Sequence, residues 1–186
     1  MRVFVAADLP LDVRDALAEQ VAPVQRSWPL LGWVKPERWH LTLTFIGDID
    51  PPALEPLLSR LERASARTQP FHLALGGPGR FGNRVLFVKV DGDVAALRRL
   101  AQRTTAASRR AGIAVPEERY RPHLTLARAR QQADLRPVMA ALPSTLDAPA
   151  WPVREIVLMQ SMLGPDPRHE ILASFPLVRR HLGSAP

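Results

Sequence analysis

The tetrapeptide His-Leu-Thr-Leu occurs twice in this 186-residue chain, at residues 40–43 and again at residues 123–126. Each copy lies in a segment where polar and apolar residues alternate, and this alternation predicts a β-strand. Because successive side chains of a strand point to opposite faces, the histidine and threonine of each copy share one face and the leucines share the other. A repeat at this scale predicts two related halves, with the leucines in the core and the two polar faces meeting at one cleft.

The elements around the two copies follow the same order. A strand at residues 2–7 and an amphipathic helix at 13–24 precede the strand of the first copy, at 39–47. A strand at 85–90 and a helix that begins after Asp93 and stops at Gly112 precede the strand of the second copy, at 120–129. The remaining predicted elements are a helix from about residue 54, a short strand at 71–75 that ends at the glycine-rich residues 76–79, and strands at 153–159 and 171–177. We predict a single bilobal domain over residues 1–186, with lobes that are not contiguous halves in detail and a repeat break near residues 76–84.

Composition narrows the chemistry. The chain has no cysteine, which excludes disulfides, a thiol nucleophile and zinc sites with sulfur ligands. Its net charge of +7 favours polyanionic partners such as RNA, although 23 of the 25 basic residues are arginine and a GC-rich genome would produce the same bias. Asp8 interrupts the first apolar stretch, and no stretch approaches the roughly 18 apolar residues of a membrane-spanning helix, so we predict a cytoplasmic protein.

Two imidazoles and two hydroxyls in one cleft suit attack on a phosphodiester. An imidazole titrates near pH ~6.5, so one of His40 and His123 can accept a proton from water while the other donates one to the departing oxygen. The hydroxyls of Thr42 and Thr125 can hold the phosphate oxygens. Arg128 would add a cationic fork, but strict alternation places it on the face opposite His123 unless the strand ends, twists or bulges there.

The other histidines serve as controls. A single His-x-Thr is more often a half-exposed strand pair than a catalytic one, so the prediction depends on the duplication. His72 lies in a similar segment that has alanine in place of threonine, and we interpret it as a strand residue that borders the cleft. His169 and His181 are expected at the surface. Neither motif has a nearby Asp, Glu or second His at ligand spacing, so no metal site is predicted.

With these segments in view, the chain resembles the two-histidine (2H) phosphoesterase superfamily, and within it the RNA 2′,3′-cyclic phosphodiesterase family, also called 2′-5′ RNA ligase. The resemblance spans nearly the whole chain, and its most specific part is Pro-His-Leu-Thr-Leu-Ala-Arg at residues 122–128. Its other parts are residues 3–6, 33–36 leading into 40–47, 81–90 and 161–164. The resemblance implies a bilobal α/β (α+β) fold in which two antiparallel-rich sheets flank a central cleft and helices pack outside.

The resemblance also implies a reaction. Water attacks an RNA 2′,3′-cyclic phosphate, the 3′ oxygen leaves and a 2′-phosphate end forms without a cofactor; attack by a 5′-hydroxyl instead gives a 2′-5′ linkage. By the family pattern His40 is the proton donor, His123 the proton acceptor and Arg128 a phosphate contact. A tyrosine common in the family after the Ser-x-Leu segment is replaced near His169, which leaves any contact there in doubt. The expected partner is RNA with a cyclic phosphate end, and the expected state is a monomer.

Two other interpretations stay open from the sequence. The same chemistry could serve a small cyclic nucleotide phosphate. Alternatively, the chain could be a non-enzymatic RNA-binding module that uses arginines and exposed aromatic residues such as Trp28, Trp33 or Phe81, in which case the histidines would be dispensable.

Overall fold

Two antiparallel β-sheets organise the structure, a computed structural model that describes residues 1–116, 119–131, 133–162, 164 and 167–178. The strands are β1 (Arg2–Asp8), β2 (Gly32–Trp33), β3 (His40–Asp48), β4 (Phe71–Phe81), β5 (Val85–Gly92), β6 (His123–Arg128), β7 (Trp151–Val153), β8 (Glu155–Met162) and β9 (Arg168–Pro176). The helices are α1 (Leu11–Ser27), α2 (Leu54–Ser65), α3 (Val94–Arg110) and α4 (Arg136–Ala141), with short 3₁₀ turns at Pro36–Arg38 and Pro51–Ala53.

The two sheets share one feature, the pairing of the motif strand. The first sheet has the order β3-β1-β8-β9, the second has β2-β6-β5-β4-β7, and all the pairings are antiparallel. The motif strand β3 therefore pairs with β1, the first strand of its half of the sequence, and the motif strand β6 pairs with β5, the first strand of the other half. The first sheet also takes β8 and β9 from the far end of the chain. The predicted fold class is confirmed, whereas the single-domain boundary at 1–186 stays a prediction.

Apolar stripes hold the helices against the sheets. The α1 stripe predicted from the spacing is buried, at Val13, Leu17, Val21 and Val24. The start and end of α3 also follow the prediction: the Asp93 carboxylate accepts a hydrogen bond from the Ala96 amide at 2.9 Å, and Gly112 adopts φ 83° just past the helix end. All four motif leucines are buried in one core cluster, at Leu41, Leu43, Leu124 and Leu126. Among the described residues, no helix is long and apolar enough to cross a membrane.

The glycine-rich residues 76–79 lie inside a strand. The prediction that the strand ends at Leu75 is wrong, because β4 continues to Phe81 and forms a hairpin with β5 after a shift of register between Leu75 and Pro78. Glycine serves here to let other groups approach closely: a Cβ on Gly79 would lie 2.6 Å from the ring of Phe87, and one on Gly77 would meet the Ser144 carbonyl. The short elements β2, β7 and α4 were not predicted.

Candidate active site

Matching β-bulges shape the two motif strands. The pairing of β3 with β1 slips by one residue at Leu43, and the pairing of β6 with β5 slips by one residue at Leu126. At each bulge two consecutive residues are buried, Leu43 and Thr44 in β3 and Leu126 and Ala127 in β6. The residue that follows them lies again on the same face as the histidine. The residues brought back are Phe45 in β3 and Arg128 in β6. The uncertainty about the face of Arg128 is thereby resolved, since the bulge places it beside His123.

The two strands meet at a cavity of about 190 Å³. Each motif contributes three side chains to its wall: His40, Thr42 and Phe45 from β3, and His123, Thr125 and Arg128 from β6. The rest of the wall is formed by Phe4, Val34, Arg38, Ser161 and His169. All five site residues predicted from the sequence therefore line one small space, while their catalytic roles stay predictions.

Backbone carbonyls orient both imidazoles in the same way. His40 Nδ1–H donates to the Arg38 carbonyl at 2.8 Å, and His123 Nδ1–H donates to the Arg121 carbonyl at 2.7 Å. Because a carbonyl can only accept, Nδ1 carries the proton in both rings and Nε2 is the nitrogen available for chemistry. His40 Nε2 lies 3.0 Å from Thr42 Oγ1, whose hydroxyl can donate to it. The arrangement gives two imidazoles of the same tautomer.

Burial disfavours the charged form of both rings. It lowers the pKa of His40 to about 4, although the hydrogen bond to the Arg38 carbonyl opposes this shift. Nearby positive charge, first of all at His169, lowers that pKa further. Burial also lowers the pKa of His123, again against its backbone hydrogen bond, and the Arg128 guanidinium adds to the effect. Both rings are therefore mainly neutral at pH 7.

His169 belongs to this site, which corrects its assignment to the surface. Its half-buried ring lies edge-on to the His40 ring with centroids 5.1 Å apart, and 4.9 Å from the ring of Phe4. Burial lowers the pKa of His169, and Arg38 lowers it further. It reaches the site because β9 pairs with β8, where His169 stands opposite Ser161. Nothing local in the sequence marks that pairing.

Arg38 is a second residue that the sequence reasoning missed. It lies just before the motif strand, lines the cavity, and has a buried Nε without a hydrogen-bond partner in the described part of the chain. A buried donor left unpaired is costly, and a phosphate oxygen would satisfy it. His72 is exposed in β4 and does not line the cavity. The interpretation that it borders the cleft is therefore wrong, although it does lie in a strand. His181 and Leu163 lie outside the described residues.

The contact between His169 and His40 predicts a change in titration. In His169→Asn we expect the pKa of His40 to rise above about 4, because a positive charge beside the ring is removed, while burial keeps it below 6.5. Proton NMR of the histidine rings measures this shift. His72→Asn, on the exposed face of β4, is the matched control and should leave the His40 titration unchanged. An unchanged His40 pKa in His169→Asn would mean that the two rings do not interact.

No group of three or more His, Cys, Asp or Glu side chains in the described part of the chain is placed to hold a metal ion.

Comparison with known proteins gives consistent matches. A family model described as the 2′-5′ RNA ligase superfamily matches residues 13–164. A Geobacillus stearothermophilus protein named RNA 2′,3′-cyclic phosphodiesterase is 32% identical over 180 residues, which cover 94% of this chain and 57% of that protein. A Thermus thermophilus protein of the same name is 32% identical over 194 residues, covering 97% of this chain and 92% of that one. The crystal structure of a Thermus thermophilus protein superposes with a TM-score of 0.82 at 32% identity, covering 97% of this chain and 100% of that chain.

Proposed function

The chain belongs to the 2′-5′ RNA ligase superfamily, and on that premise we propose that it hydrolyses RNA 2′,3′-cyclic phosphate ends to 2′-phosphates. The observation that carries the proposal is the pair of imidazoles, each with Nδ1 held by a carbonyl, in one cavity of about 190 Å³. Relatives about as long as this chain are named RNA 2′,3′-cyclic phosphodiesterase, and these names support the choice of substrate.

The proposed step uses one histidine as base and the other as acid. His123 Nε2 accepts a proton from water as the water oxygen forms a bond to phosphorus, and the bond from phosphorus to O3′ breaks. His40, in its protonated form, donates its proton to O3′, so that the products are a 3′-hydroxyl and a 2′-phosphate. Exchange of one proton with solvent restores the starting states. If the 5′-hydroxyl of a second RNA replaces water, the same transfers give a 2′-5′ linkage.

The remaining polar groups of the cavity suit the phosphate. The hydroxyls of Thr42 and Thr125 can donate to the non-bridging oxygens, and the guanidiniums of Arg38 and Arg128 can neutralise the charge that develops on them. A bound phosphate anion also favours the charged form of an imidazole. We therefore infer that the bound substrate raises the low pKa of His40 and so favours the protonated imidazole that acts as the acid.

These pKa shifts predict an acidic optimum for the free enzyme. We expect the alkaline limb of kcat/KM to lie below pH 6.5, with about a tenfold loss per pH unit above it, because the pair must hold one proton and burial lowers both pKa values. The charged or titratable groups that face His40 are Arg38, His169, His123 and Arg128. The limbs of kcat should lie at higher pH, since the bound phosphate raises the same pKa values. Initial rates from about pH 4 to 9 test this, and a kcat/KM limb above 6.5 would contradict the assigned environment.

The proposal is tested by the product end. The protein is incubated with an RNA oligomer that ends in a 2′,3′-cyclic phosphate, and the product is identified as a 2′- or 3′-phosphate by its mobility against synthetic standards. We expect the 2′-phosphate, in the presence of EDTA as well as in its absence. A 3′-phosphate product would contradict O3′ as the leaving oxygen, and a need for added metal would contradict catalysis by the two histidines alone. A strong preference for mononucleotide cyclic phosphates would contradict RNA as the substrate. The monomeric state and the cytoplasmic location stay predictions.

A further inference from the structure

Six arginines converge on a groove between α2 and α3, outside the site described above. The groove has a volume of about 590 Å³ and an apolar floor that includes Ala64, Ala106 and Ala107. Its walls carry Arg60, Arg63, Arg67, Arg99, Arg103 and Arg110. Five of these side chains are exposed and Arg60 is half-buried, so their charged ends are open to a ligand.

No acidic side chain among the described residues lies in the groove itself, although Asp93 lines a neighbouring cavity with Arg67, Arg99 and Arg103. The lining contains neither Asp nor Glu, and no ion pair joins any of the six arginines to a carboxylate in the described part of the chain. Arg103 donates to Thr68 Oγ1 and to the Arg67 carbonyl, and Arg63 donates to Ser59 Oγ. Codon bias accounts for many arginines, but it would scatter them over the surface. Like charges gathered in one groove repel each other, and a bound polyanion would relieve that repulsion.

Two further cavities lie between the arginine groove and the catalytic cavity, and each shares lining residues with the next. A cavity of about 680 Å³ shares Thr42, Phe45, His123 and Arg128 with the catalytic one. It shares Thr105, Pro116, Arg119 and Tyr120 with a further cavity of about 940 Å³, which in turn shares Gln102, Ala106 and Arg110 with the arginine groove. A series of adjoining cavities thus leads from the two histidines along α3 to the six arginines, and the α3 residues Gln102, Ala106 and Arg110 form a ridge between the last two cavities.

The path between the two ends also suits a nucleic acid. Phe45 and Phe81 line the cavity next to the histidines and offer aromatic faces for bases. Farther along, Arg98, Arg109 and Arg119 line the intermediate cavity. Tyr120 lines both intervening cavities, and its hydroxyl is buried without a hydrogen-bond partner among the described residues, so a ligand atom bound there could supply one.

We propose that the arginine groove binds the phosphate backbone of the RNA upstream of its reacting end. This inference rests on the proposed function, since it assumes that the end itself lies at His40 and His123. The groove holds the body of the RNA through phosphate contacts without reading its sequence. It therefore makes the enzyme prefer long RNA over small cyclic nucleotides.

The test removes three groove charges at once. In the variant Arg63→Gln, Arg99→Gln, Arg110→Gln, we expect the affinity for a labelled RNA of about fifteen nucleotides to fall roughly tenfold or more near 0.1 M salt. The slope of log affinity against log salt should become shallower by about 2, since each phosphate contact to a single strand contributes about 0.7. The RNA carries a 2′-phosphate end, so binding by fluorescence anisotropy is measured without turnover. Hydrolysis of a mononucleotide 2′,3′-cyclic phosphate should be unchanged.

Matched variants separate position from charge. Arg26→Gln, Arg84→Gln, Arg154→Gln removes the same three charges from exposed sites outside the groove and should change affinity much less. Replacement of the three groove arginines by lysine keeps the charge and should keep most of the affinity. If the groove variant binds RNA as the wild type does, or if both glutamine variants lose affinity equally, the proposal is overturned. RNA bound through the groove by a wild type that leaves cyclic ends intact would support the groove and overturn the proposed hydrolysis instead.

Discussion

Replacing His40 or His123 by alanine is expected to lower kcat for an RNA 2′,3′-cyclic phosphate by about 10²–10⁴-fold. Each variant removes one of the two groups that move a proton in the proposed step, and no other histidine among the described residues has the same carbonyl-fixed position. RNA affinity should change little, because the cationic contacts remain. Steady-state kinetics and RNA anisotropy on the same preparations measure the two effects separately.

A substrate with a good leaving group distinguishes the acid from the base. If His40 donates the proton to O3′, a phosphodiester that releases p-nitrophenolate needs no such proton, so His40→Ala should recover much of its activity on it. His123→Ala should stay impaired on both substrates, since water must still be activated. The reverse pattern would exchange the two roles.

Suitable controls guard against a general loss of structure. His72→Ala, at an exposed position of β4, should keep full activity, and the melting temperatures of all variants should be compared. Because His40 packs against Phe4 and donates to the Arg38 carbonyl, His40→Asn provides a second, polar replacement if His40→Ala is unstable. Full activity in either His40 variant with an intact fold would exclude acid–base catalysis by this pair.

The motif leucines and histidines were predictable because strand alternation is a local property. One face of each His-Leu-Thr-Leu segment had to enter the core, and Leu41 and Leu124 are fully buried. The duplication then brought the two polar faces together. By contrast, Arg128 could not be assigned to a face from the sequence, because a bulge depends on how β6 pairs with β5 rather than on the residues of β6 alone.

His169 shows the same limit over a longer distance. It comes after the second motif with no recognisable spacing, and the pairing of β9 with β8 in the first sheet carries it to His40. The prediction that the strand at residues 71–75 ends at the glycine-rich residues 76–79 was wrong for a related reason. Glycine marks both turns and places where chains approach closely, and at Gly79 the ring of Phe87 occupies the space that a side chain would need. Tertiary pairing decided both cases.

The bulges make a further comparison available, because they place Phe45 and Arg128 at equivalent positions of the two motifs. Five residues after its histidine, one motif presents an aromatic ring and the other a guanidinium to the same cavity. The halves of the site are therefore chemically unequal there. At this position the motif of His123 presents the cationic Arg128 to the cavity, while the motif of His40 presents Phe45, a face on which a base can stack.

Arg128→Gln is accordingly expected to lower kcat by about 10²–10³-fold, the loss typical of removing one group that stabilises charge in a transition state. Arg128→Lys should recover part of this loss, because an ammonium restores the charge but not the planar fork. The pKa of His123 should rise in Arg128→Gln, since a positive charge that lowers it is gone, and the alkaline limb of kcat/KM should move to higher pH. Kinetics across pH measures both effects. Arg130→Gln, two residues farther on, exposed and outside the lining of the cavity, is the matched control and should behave as the wild type. If Arg128→Gln raised KM alone and left kcat and the pH limb in place, Arg128 would bind the ground state without assisting the reaction.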